Sequence, residues 1–322
     1  MRWLLRIVVT IVTLALIAGG GALLGLQRYI GPGPLKATRA IQVPRGGPEQ
    51  VGEILTQQGV IDASWIFRIA AIVTSGKGPL RAGEFTFPEH ASLQAVLIIL
   101  RAGRPVQHRL TIPEGLTAAQ IALLLDRTEA LAGDTIVPEE GEMLPQTYAF
   151  TFGTLRSTMV ERARAAMDRT LAQAWATRAP SVALASPREL LVLASIIERE
   201  TARPEERPHI AAVFLNRLRL GMRLQSDPTV AYATSGGLSS SDKGLTRTDL
   251  SLANPYNTYA NKGLPPGPIA SPGLASIEAV AQPLNSDDLF FVADGNGGHA
   301  FASTLDEHNR NVAKWHAKSN VP

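Results

Sequence analysis

A long uncharged segment near the N-terminus is the feature that most constrains this chain. From Ile7 to Leu26 every residue is apolar, glycine or threonine, and about 20 helical residues span about 30 Å, enough to cross a bilayer. Arg2 and Arg6 precede the segment, so the positive-inside tendency places the N-terminus in the cytoplasm and the chain after Arg28 outside. A cleaved signal peptide is the alternative, although its apolar region usually has only about 7–15 residues. Both interpretations predict that most of the chain is exported.

Composition excludes several classes of function. The 322 residues carry a net charge of only +3, and the lysines and arginines are scattered, so nucleic acid is a poor candidate partner. The chain contains no cysteine, which excludes disulfides, cysteine zinc sites and thiol nucleophiles. His299 and His308 match no zinc-binding spacing. We therefore predict no metal and no cofactor, and interpret these histidines as residues that fasten loops.

The region after the predicted anchor begins with Gly-Pro-Gly-Pro, and residues 31–40 are predicted to form a stiff linker. From Ile41 onward, a short strand-like stretch three times meets a proline and is followed by a turn and a helical pattern. The three junctions are Val43-Pro44, Phe87-Pro88 and Ile112-Pro113. Short β/α modules of this kind are usually binding domains; a spacer or a dimer surface is the alternative.

Longer helical patterns and longer loops dominate from Pro138 onward. The helical patterns cover residues 155–178 and 190–224, and the main loops cover 235–241 and 254–272. Loops of this length are usually functional. The sequence predicts an α+β chain: anchor 1–30, linker 31–40, small α/β subdomain 41–108, and a larger, mostly helical domain 109–322.

Glu198 is the strongest candidate for a catalytic residue. Its helix has a complete predicted start, with Ser186 as N-cap, Pro187 at the first helical position and Glu189 positioned for a capping box. The helix is apolar almost all round, which predicts burial. Desolvation is expected to raise the pKa of Glu198, as a general acid requires. Glu200 lies about 200° round the helix, so the two carboxylates cannot form a close pair by themselves.

An alternative interpretation of Glu198 is an ordinary residue at a helix end, paired with Arg199, Arg203 or Arg207. Sequence context favours function over this alternative. The runs 213–218, 224–232 and 254–259 supply hydroxyls, amides and aromatic rings. Such groups are typical of a sugar-binding surface, where rings stack on sugars and polar groups bind hydroxyls.

Four segments resemble those of the endolytic murein transglycosylase family, also called YceG-like or MltG. They are Leu193–Thr201, Leu224–Thr229, Tyr256–Tyr259 and Gly263–Ile269. The resemblance extends in order from Ile41 to Val312. It implies that Glu198 is the catalytic glutamate and that the units before Arg109 form a LysM-like subdomain. One position departs from the family pattern, because Gln146 stands where an acidic residue is expected.

The resemblance implies endolytic, non-hydrolytic cleavage of the MurNAc-β-1,4-GlcNAc bond, which leaves 1,6-anhydroMurNAc ends and terminates growing strands. It also implies an inner-membrane protein with a periplasmic C-terminal part, with peptidoglycan strands and peptidoglycan synthases as partners. A single carboxylate suits this reaction, whereas ordinary glycosidases use two. The residues expected to bind substrate are polar or aromatic: Asn216, Gln225, Ser226, Asp227, Thr229, Tyr232, Tyr256, Asn257, Thr258 and Tyr259.

Two other functions stay open from the sequence. The first is a non-catalytic, membrane-anchored scaffold that binds glycan strands for cell-wall synthases. The second is a true hydrolase, which requires a second carboxylate such as Asp227 near the scissile bond.

Overall fold

The computed structural model describes residues 2–238 and 244–319. The chain forms two units, each with its own core. We call Met1–His108 with Ala149–Gly153 the small unit, and Arg109–Tyr148 with Thr154–Pro322 the large unit. The architecture is a mixture of helices and short two-stranded sheets. That the small unit is LysM-like and the large unit catalytic stays a prediction.

Helices surround one antiparallel strand pair in the small unit. Ile41 lies opposite Phe85 in this pair, and the inward side chains of both strands are buried. The elements are α1 Arg2–Ile30, β1 Arg39–Val43, α2 Pro48–Gln57, α3 Ser64–Val73, β2 Gly83–Phe87 and α4 Leu93–Ala102. The two predicted strand-turn-helix units are confirmed as β1 with α2 and β2 with α4. Helix α3 was not predicted, because no cap or turn signature marks its ends.

The first helix has the length and composition of a membrane span. Residues Arg6–Ile30 form a helical segment of 25 residues that is long and apolar enough to cross a membrane. The predicted apolar helix is therefore present. Its orientation across a membrane stays a prediction.

Part of the predicted linker, residues 31–40, contacts the small unit. Leu35 is 3% exposed and belongs to the core that β1, β2 and α4 share. The Gly33 amide donates a hydrogen bond to the His90 carbonyl (3.1 Å). Residues 36–40 are exposed, and the role of the whole segment as a linker stays a prediction.

The large unit is built around helix α7. Its elements are β3 Gln107–Thr111, α5 Ala118–Asp126, β4 Leu131–Ala132, β5 Thr147–Thr151, β6 Thr154–Leu155, α6 Arg156–Ala176, α7 Pro187–Glu200, α8 Arg207–Arg219, α9 Asp227–Ser235, α10 Arg247–Leu250, α11 Leu274–Ala281, β7 Phe290–Ala293, β8 His299–Ala302 and α12 Leu305–Ser319. The third predicted unit is confirmed as β3 with α5, whose N-cap Thr117 forms a full capping box with Gln120. Strands β3 and β5 pair, as do β4 with β6 and β7 with β8.

Helix α7 is the buried centre that its sequence predicts. Every residue from Leu190 to Ile197 is buried, and α6, α8 and α11 pack against it. The Ser186 hydroxyl accepts a hydrogen bond from the Glu189 amide (3.2 Å), so the predicted N-cap is present. The Glu189 carboxylate accepts instead from the Ala185 amide (2.7 Å), one residue before the position that a capping box uses.

The helical pattern predicted over residues 190–224 is broken between α7 and α8. Thr201 has an extended backbone, and Pro204 begins a short 3-10 helix. In an unbroken helix Arg207 would lie about 13 Å along the axis from Glu198. The break instead turns the chain back, so that Arg207 contacts Glu198.

Candidate active site

The carboxylate of Glu198 lies at the end of α7 inside a shell of hydrogen-bond donors. Oε1 accepts from the Arg207 guanidinium (3.1 Å). Oε2 accepts from the Gly273 amide (2.9 Å) and from the Ser276 hydroxyl (2.8 Å). The Glu198 side chain is 4% exposed and that of Arg207 is 7% exposed. The carboxylate is thus enclosed, yet fully engaged by polar partners.

Helix geometry supplies two of these donors. Gly273 is the N-cap of α11 and Ser276 lies in its first turn, so the partial positive charge at the start of this helix faces the Glu198 carboxylate. Arginine and helix N-terminal donors interact more strongly with a carboxylate than with a neutral carboxyl group. The Glu198 side chain is therefore held by a cation on Oε1 and by the start of α11 on Oε2.

The structure also tests the pairing of Glu198 with three nearby arginines. Arg199 donates to the Gly115 carbonyl (3.0 Å), and Arg203 binds Glu205 (2.9 Å). Arg207 alone of the three forms an ion pair with Glu198. The alternative interpretation of a paired residue at a helix end thus describes the contacts correctly. Pairing does not by itself assign or exclude a catalytic role.

A second carboxylate, Glu114, lies beside the pair. Its Oε2 is 3.7 Å from the Arg207 guanidinium, and its side chain is 47% exposed. The turn that carries it is held by Gly115, which has φ +74 and donates its amide to the Ser271 carbonyl (2.9 Å). A Cβ on Gly273 would overlap with the Glu114 carboxylate. Glu114 therefore forms the solvent-exposed side of the Glu198 cluster.

Glu200 occupies a separate polar cluster on another side of α7. Its Oε2 accepts from the Ser226 hydroxyl (2.8 Å). Burial, opposed by that hydrogen bond and reinforced by the nearby Asp227 charge, raises the pKa of Glu200 to about 7. Asp227 also accepts from the Tyr259 hydroxyl (2.6 Å), and burial and this bond raise the pKa of Tyr259. Sequence analysis assigned no role to Glu200.

Four of the residues expected to bind substrate are buried and bonded within the protein. Ser226, Thr229, Asn257 and Thr258 are each at most 1% exposed. The Thr229 and Thr258 hydroxyls are 2.8 Å apart, and Asn257 donates to the Leu250 and Leu252 carbonyls. Thr229 and Thr258 thus join the 254–259 loop to α9, whereas Ser226 binds Glu200 on α7. In this conformation none of the four side chains has surface to offer a sugar.

Asn216 also fastens a loop. Its amide donates to the Ser286 carbonyl (2.7 Å) and to the Asp288 carbonyl (3.1 Å). The neighbouring Arg217 donates to the Leu224 and Leu289 carbonyls. Together they tie α8 to the segments before α9 and β7, which accounts for both residues without a substrate.

Two tyrosines expected to stack on sugars form a pair. The rings of Tyr232 and Tyr256 have centroids 4.9 Å apart at an interplanar angle of 48°. The Tyr232 hydroxyl donates to Glu140 (3.1 Å), and burial raises the pKa of Glu140, with hydrogen bonds from Ala118 and Tyr232 opposing the shift. Both rings are partly exposed, so this pair can still offer an aromatic surface.

The predicted site residues thus separate into three groups. Glu198 has its own cluster, Glu200 forms a second with Ser226 and Asp227, and the tyrosine pair with Glu140 forms a third. Apart from the loop-fastening Asn216, which is also partly exposed, five predicted substrate-binding residues keep solvent-exposed surface: Gln225, Asp227, Tyr232, Tyr256 and Tyr259. Gln225 is exposed and has φ +53. Direct contact of these five with substrate stays a prediction.

Sequence analysis missed the residues that complete the Glu198 cluster. Glu114 lies in the turn after the Ile112-Pro113 junction, Gly273 lies just beyond the predicted loop 254–272, and Ser276 lies in a helix without a functional signature. Of these residues, only Glu114 could have been suspected from its neighbours. It lies between Pro113 and Gly115 in a turn, and turns usually lie at the protein surface.

The predicted loop-fastening role of His299 is consistent with its contacts. Its Nδ1 lies 2.7 Å from Glu206 Oε2, and its amide donates to Glu206 Oε1 (3.0 Å). His308 stacks on Phe290. Within residues 2–238 and 244–319, no cluster of three potential metal ligands occurs.

Comparisons with known proteins agree with the resemblance seen in the sequence. A model of the YceG-like family matches residues 41–314. The chain is 31% identical to an endolytic murein transglycosylase of Streptococcus pneumoniae over 94% of its own length and 64% of that protein. It thus spans slightly less than two thirds of the streptococcal relative.

Two further matches cover nearly the whole length of the other protein. An endolytic murein transglycosylase of Bacillus subtilis is 31% identical over 88% of this chain and 87% of the relative. A crystal structure of a YceG-like protein from Listeria monocytogenes matches with a TM-score of 0.53 and 31% identity, over 85% of this chain and 99% of that chain. The likeness therefore includes both the sequence and the fold.

Proposed function

The chain belongs to the YceG-like family, and from this premise we propose that it is an endolytic murein transglycosylase. Its relatives in Streptococcus pneumoniae and Bacillus subtilis carry that name. The observation that carries the proposal is the enclosed carboxylate of Glu198, which has a buried arginine and two helix N-terminal donors around it. Peptidoglycan glycan strands are the proposed substrate.

In the proposed reaction Glu198 is first an acid and then a base. It donates its proton to the glycosidic oxygen as the bond from C1 of MurNAc to that oxygen breaks. The C6 hydroxyl oxygen of the same MurNAc then bonds to C1, and its proton returns to Glu198. One strand leaves with a new GlcNAc hydroxyl and the other ends in 1,6-anhydroMurNAc. No water is consumed, and Glu198 ends as it began.

The contacts of Glu198 support an assignment of these steps to atoms. Among the described residues, Oε2 accepts two hydrogen bonds and Oε1 accepts one. The proposed proton is therefore carried by Oε1. Arg207, the Gly273 amide and Ser276 stabilise the carboxylate that exists between the two steps.

Substrate binding in this proposal uses the surfaces that remain exposed. Tyr232 and Tyr256 offer a ring pair for stacking. Gln225, Asp227 and Tyr259 offer polar groups to sugar hydroxyls. The exposed Glu114 carboxylate lies beside Arg207. We propose that the substrate reaches Glu198 from this side.

The proposed cellular role is to end the growth of nascent glycan strands close to the synthases that make them. The apolar helix α1 would act as a single-pass anchor in the inner membrane, with both units in the periplasm. This location keeps the enzyme next to new strands. Synthases are accordingly the proposed protein partners.

Replacing Glu198 by glutamine tests the catalytic assignment. Full-length protein in detergent micelles is incubated with uncrosslinked glycan strands, and the chain ends are identified by mass spectrometry. We expect anhydro ends from the unchanged protein and at least a hundredfold loss in Glu198→Gln, because general acid-base catalysis contributes about 10²–10⁴-fold. Glu278→Gln on α11, an exposed position, is the matched control and should keep full activity.

Other products would contradict the proposal in distinct ways. Reducing ends would indicate a hydrolase. Binding of strands without cleavage by the unchanged protein would indicate a scaffold. Full activity in a folded Glu198→Gln protein would remove Glu198 from the reaction.

A further inference from the structure

Helix α3 of the small unit displays a row of large apolar side chains on its outer face. Trp65, Ile69, Ile72 and Val73 are between 52% and 77% exposed. Their spacing of four, seven and eight residues from Trp65 places them on one side of the helix. We call these four residues the α3 apolar face. The opposite side of α3 is buried in the small-unit core through Phe67. The exposed row is therefore not needed to fold the unit.

The α3 apolar face lies beside the end of α1. An open groove of about 770 Å³ lies between the two helices. Its walls include Leu24, Leu26 and Tyr29 from α1 and Trp65, Ile69 and Val73 from α3. Leu24 and Leu26 are themselves exposed, and Tyr29 is partly exposed. A continuous apolar surface thus runs from the predicted membrane span onto the small unit.

The position of this apolar surface along α1 indicates its expected depth in the bilayer, and so which molecules would contact it. The groove begins at Gly21, and the uncharged run ends at Leu26, so the groove overlaps about the last 8 Å of the span. This is the depth at which hydrocarbon meets headgroups and at which tryptophan is enriched. Residues 31–40 do not let the small unit move far from the end of α1, because Leu35 is packed in the core of that unit.

The charged groups around the face suit a lipid headgroup region. Arg28 follows the apolar run of α1 and lines the groove. Lys77 follows α3 and is exposed. Arg68 is on the same helix but binds Glu49 (3.2 Å). Arg28 and Lys77 can therefore meet lipid phosphates while the apolar side chains lie deeper.

We propose that the α3 apolar face is inserted into the outer interfacial layer of the bilayer, with lipid acyl chains filling the groove between α1 and α3. This inference rests on the proposed anchoring of α1. The small unit is then a second membrane contact and not a domain held away from the surface by a linker. Lipid is the proposed occupant because the groove is continuous with the helix that the bilayer surrounds.

Nitroxide spin labels on single cysteines test this depth directly, since the chain contains no cysteine of its own. Full-length Ile69→Cys, Leu16→Cys and Thr86→Cys proteins are labelled and reconstituted into vesicles of phosphatidylethanolamine and phosphatidylglycerol. Collisions of the label with oxygen show that it lies in lipid, because oxygen is concentrated there. Collisions with a water-soluble nickel chelate show that the label is exposed to water. Thr86 is an exposed position on β2 of the same unit and is the matched control.

We expect labels at positions 16 and 69 to show an oxygen-to-nickel collision ratio severalfold above that at position 86. A ratio at 69 equal to that at 86, with 16 still in lipid, would overturn the inference and leave the anchoring intact. A label at 69 shielded from both reagents would also overturn it, in favour of a protein partner or a second copy. Water accessibility at 16 would instead overturn the anchoring itself.

Discussion

Glu198 and Glu200 are two residues apart on α7 but have opposite surroundings. Glu198 accepts from an arginine and two further donors. Glu200 accepts from the Ser226 hydroxyl and lies near the Asp227 charge, and burial raises its pKa to about 7. The helix causes this difference, because a separation of two residues turns the side chains by about 200°. The two carboxylates of α7 therefore have different partners and different burial.

The pKa of Glu200 predicts a pH dependence of folding stability. The folded-state pKa of about 7 exceeds the ordinary value of 4.5, so between these values the folded state binds more protons than the unfolded chain. The free energy of unfolding then falls as pH rises through this window, by at most about 3 kcal/mol. Glu200→Gln cannot ionise, so its stability relative to the unchanged protein should increase from pH 5 to pH 8.

Chemical unfolding at pH 5 and at pH 8 measures this difference. The exposed Glu278→Gln serves as control, since its effect should be nearly the same at both pH values. An effect of Glu200→Gln that does not change with pH would show that Glu200 titrates as an ordinary surface glutamate.

At the scale of elements, the break between α7 and α8 creates the candidate site. Pro204 and the extended Thr201 end one helix and redirect the next, and α11 approaches with its N-terminus toward the same point. Three helix ends therefore meet at Glu198. A carboxylate is expected to be more stable there than at the end of α7 alone, because the C-terminus of its own helix disfavours negative charge.

This arrangement predicts energetic coupling between Glu198 and Arg207. Arg207→Met leaves a buried carboxylate without its cation and should lower the free energy of unfolding by about 3–5 kcal/mol. In the Glu198→Gln background the same change should cost less, because the charge is gone. The coupling energy from the double-mutant cycle should be about 1–3 kcal/mol, measured by denaturant unfolding.

A second cycle provides the control. Arg203 lies in the same break but pairs with Glu205 and is exposed, so Arg203→Met and Glu198→Gln should be additive within about 0.5 kcal/mol. Equal coupling in both cycles would mean that the Glu198 and Arg207 contact has no special energetic importance.

At the scale of the whole molecule, the chain combines one long apolar helix with two units that have separate cores. The charges at the start of α1 are Arg2 and Arg6, and from the positive-inside tendency we predict that they are cytoplasmic. Both units would then lie on the outer side, where peptidoglycan is found.

Reporter fusions test this orientation. Alkaline phosphatase folds only outside the cytoplasm, so we expect an active enzyme when it is fused after Pro322. Green fluorescent protein at the same position should stay dark after export through the general secretion pathway. Fusions of both reporters at the N-terminus are the control, with the opposite pattern expected. A fluorescent C-terminal fusion would place the units in the cytoplasm and contradict the proposed access to glycan strands.

Local signals determined much of the fold. The strand-proline-turn-helix junctions, the N-cap Ser186 and the apolar run of α7 each act within a few residues, so the sequence predicts them directly. The predicted helix 155–178 is present as α6 Arg156–Ala176 for the same reason. Helix α3 was missed because its ends carry no such signal, and Leu35 was missed because its neighbours resemble a linker.

The sequence by itself determined that Glu198 lies on a buried helix, that a span-length apolar helix comes first, and which family the chain resembles. Only the tertiary structure decided what surrounds Glu198, since Gly273 and Ser276 are 75 and 78 residues away along the chain. It also decided that Ser226, Thr229, Asn257 and Thr258 are buried and hydrogen-bonded to other groups of the protein. The physical reason is that helix propensity and periodicity act over one or two turns, whereas hydrogen-bond partners are chosen by how distant helices pack.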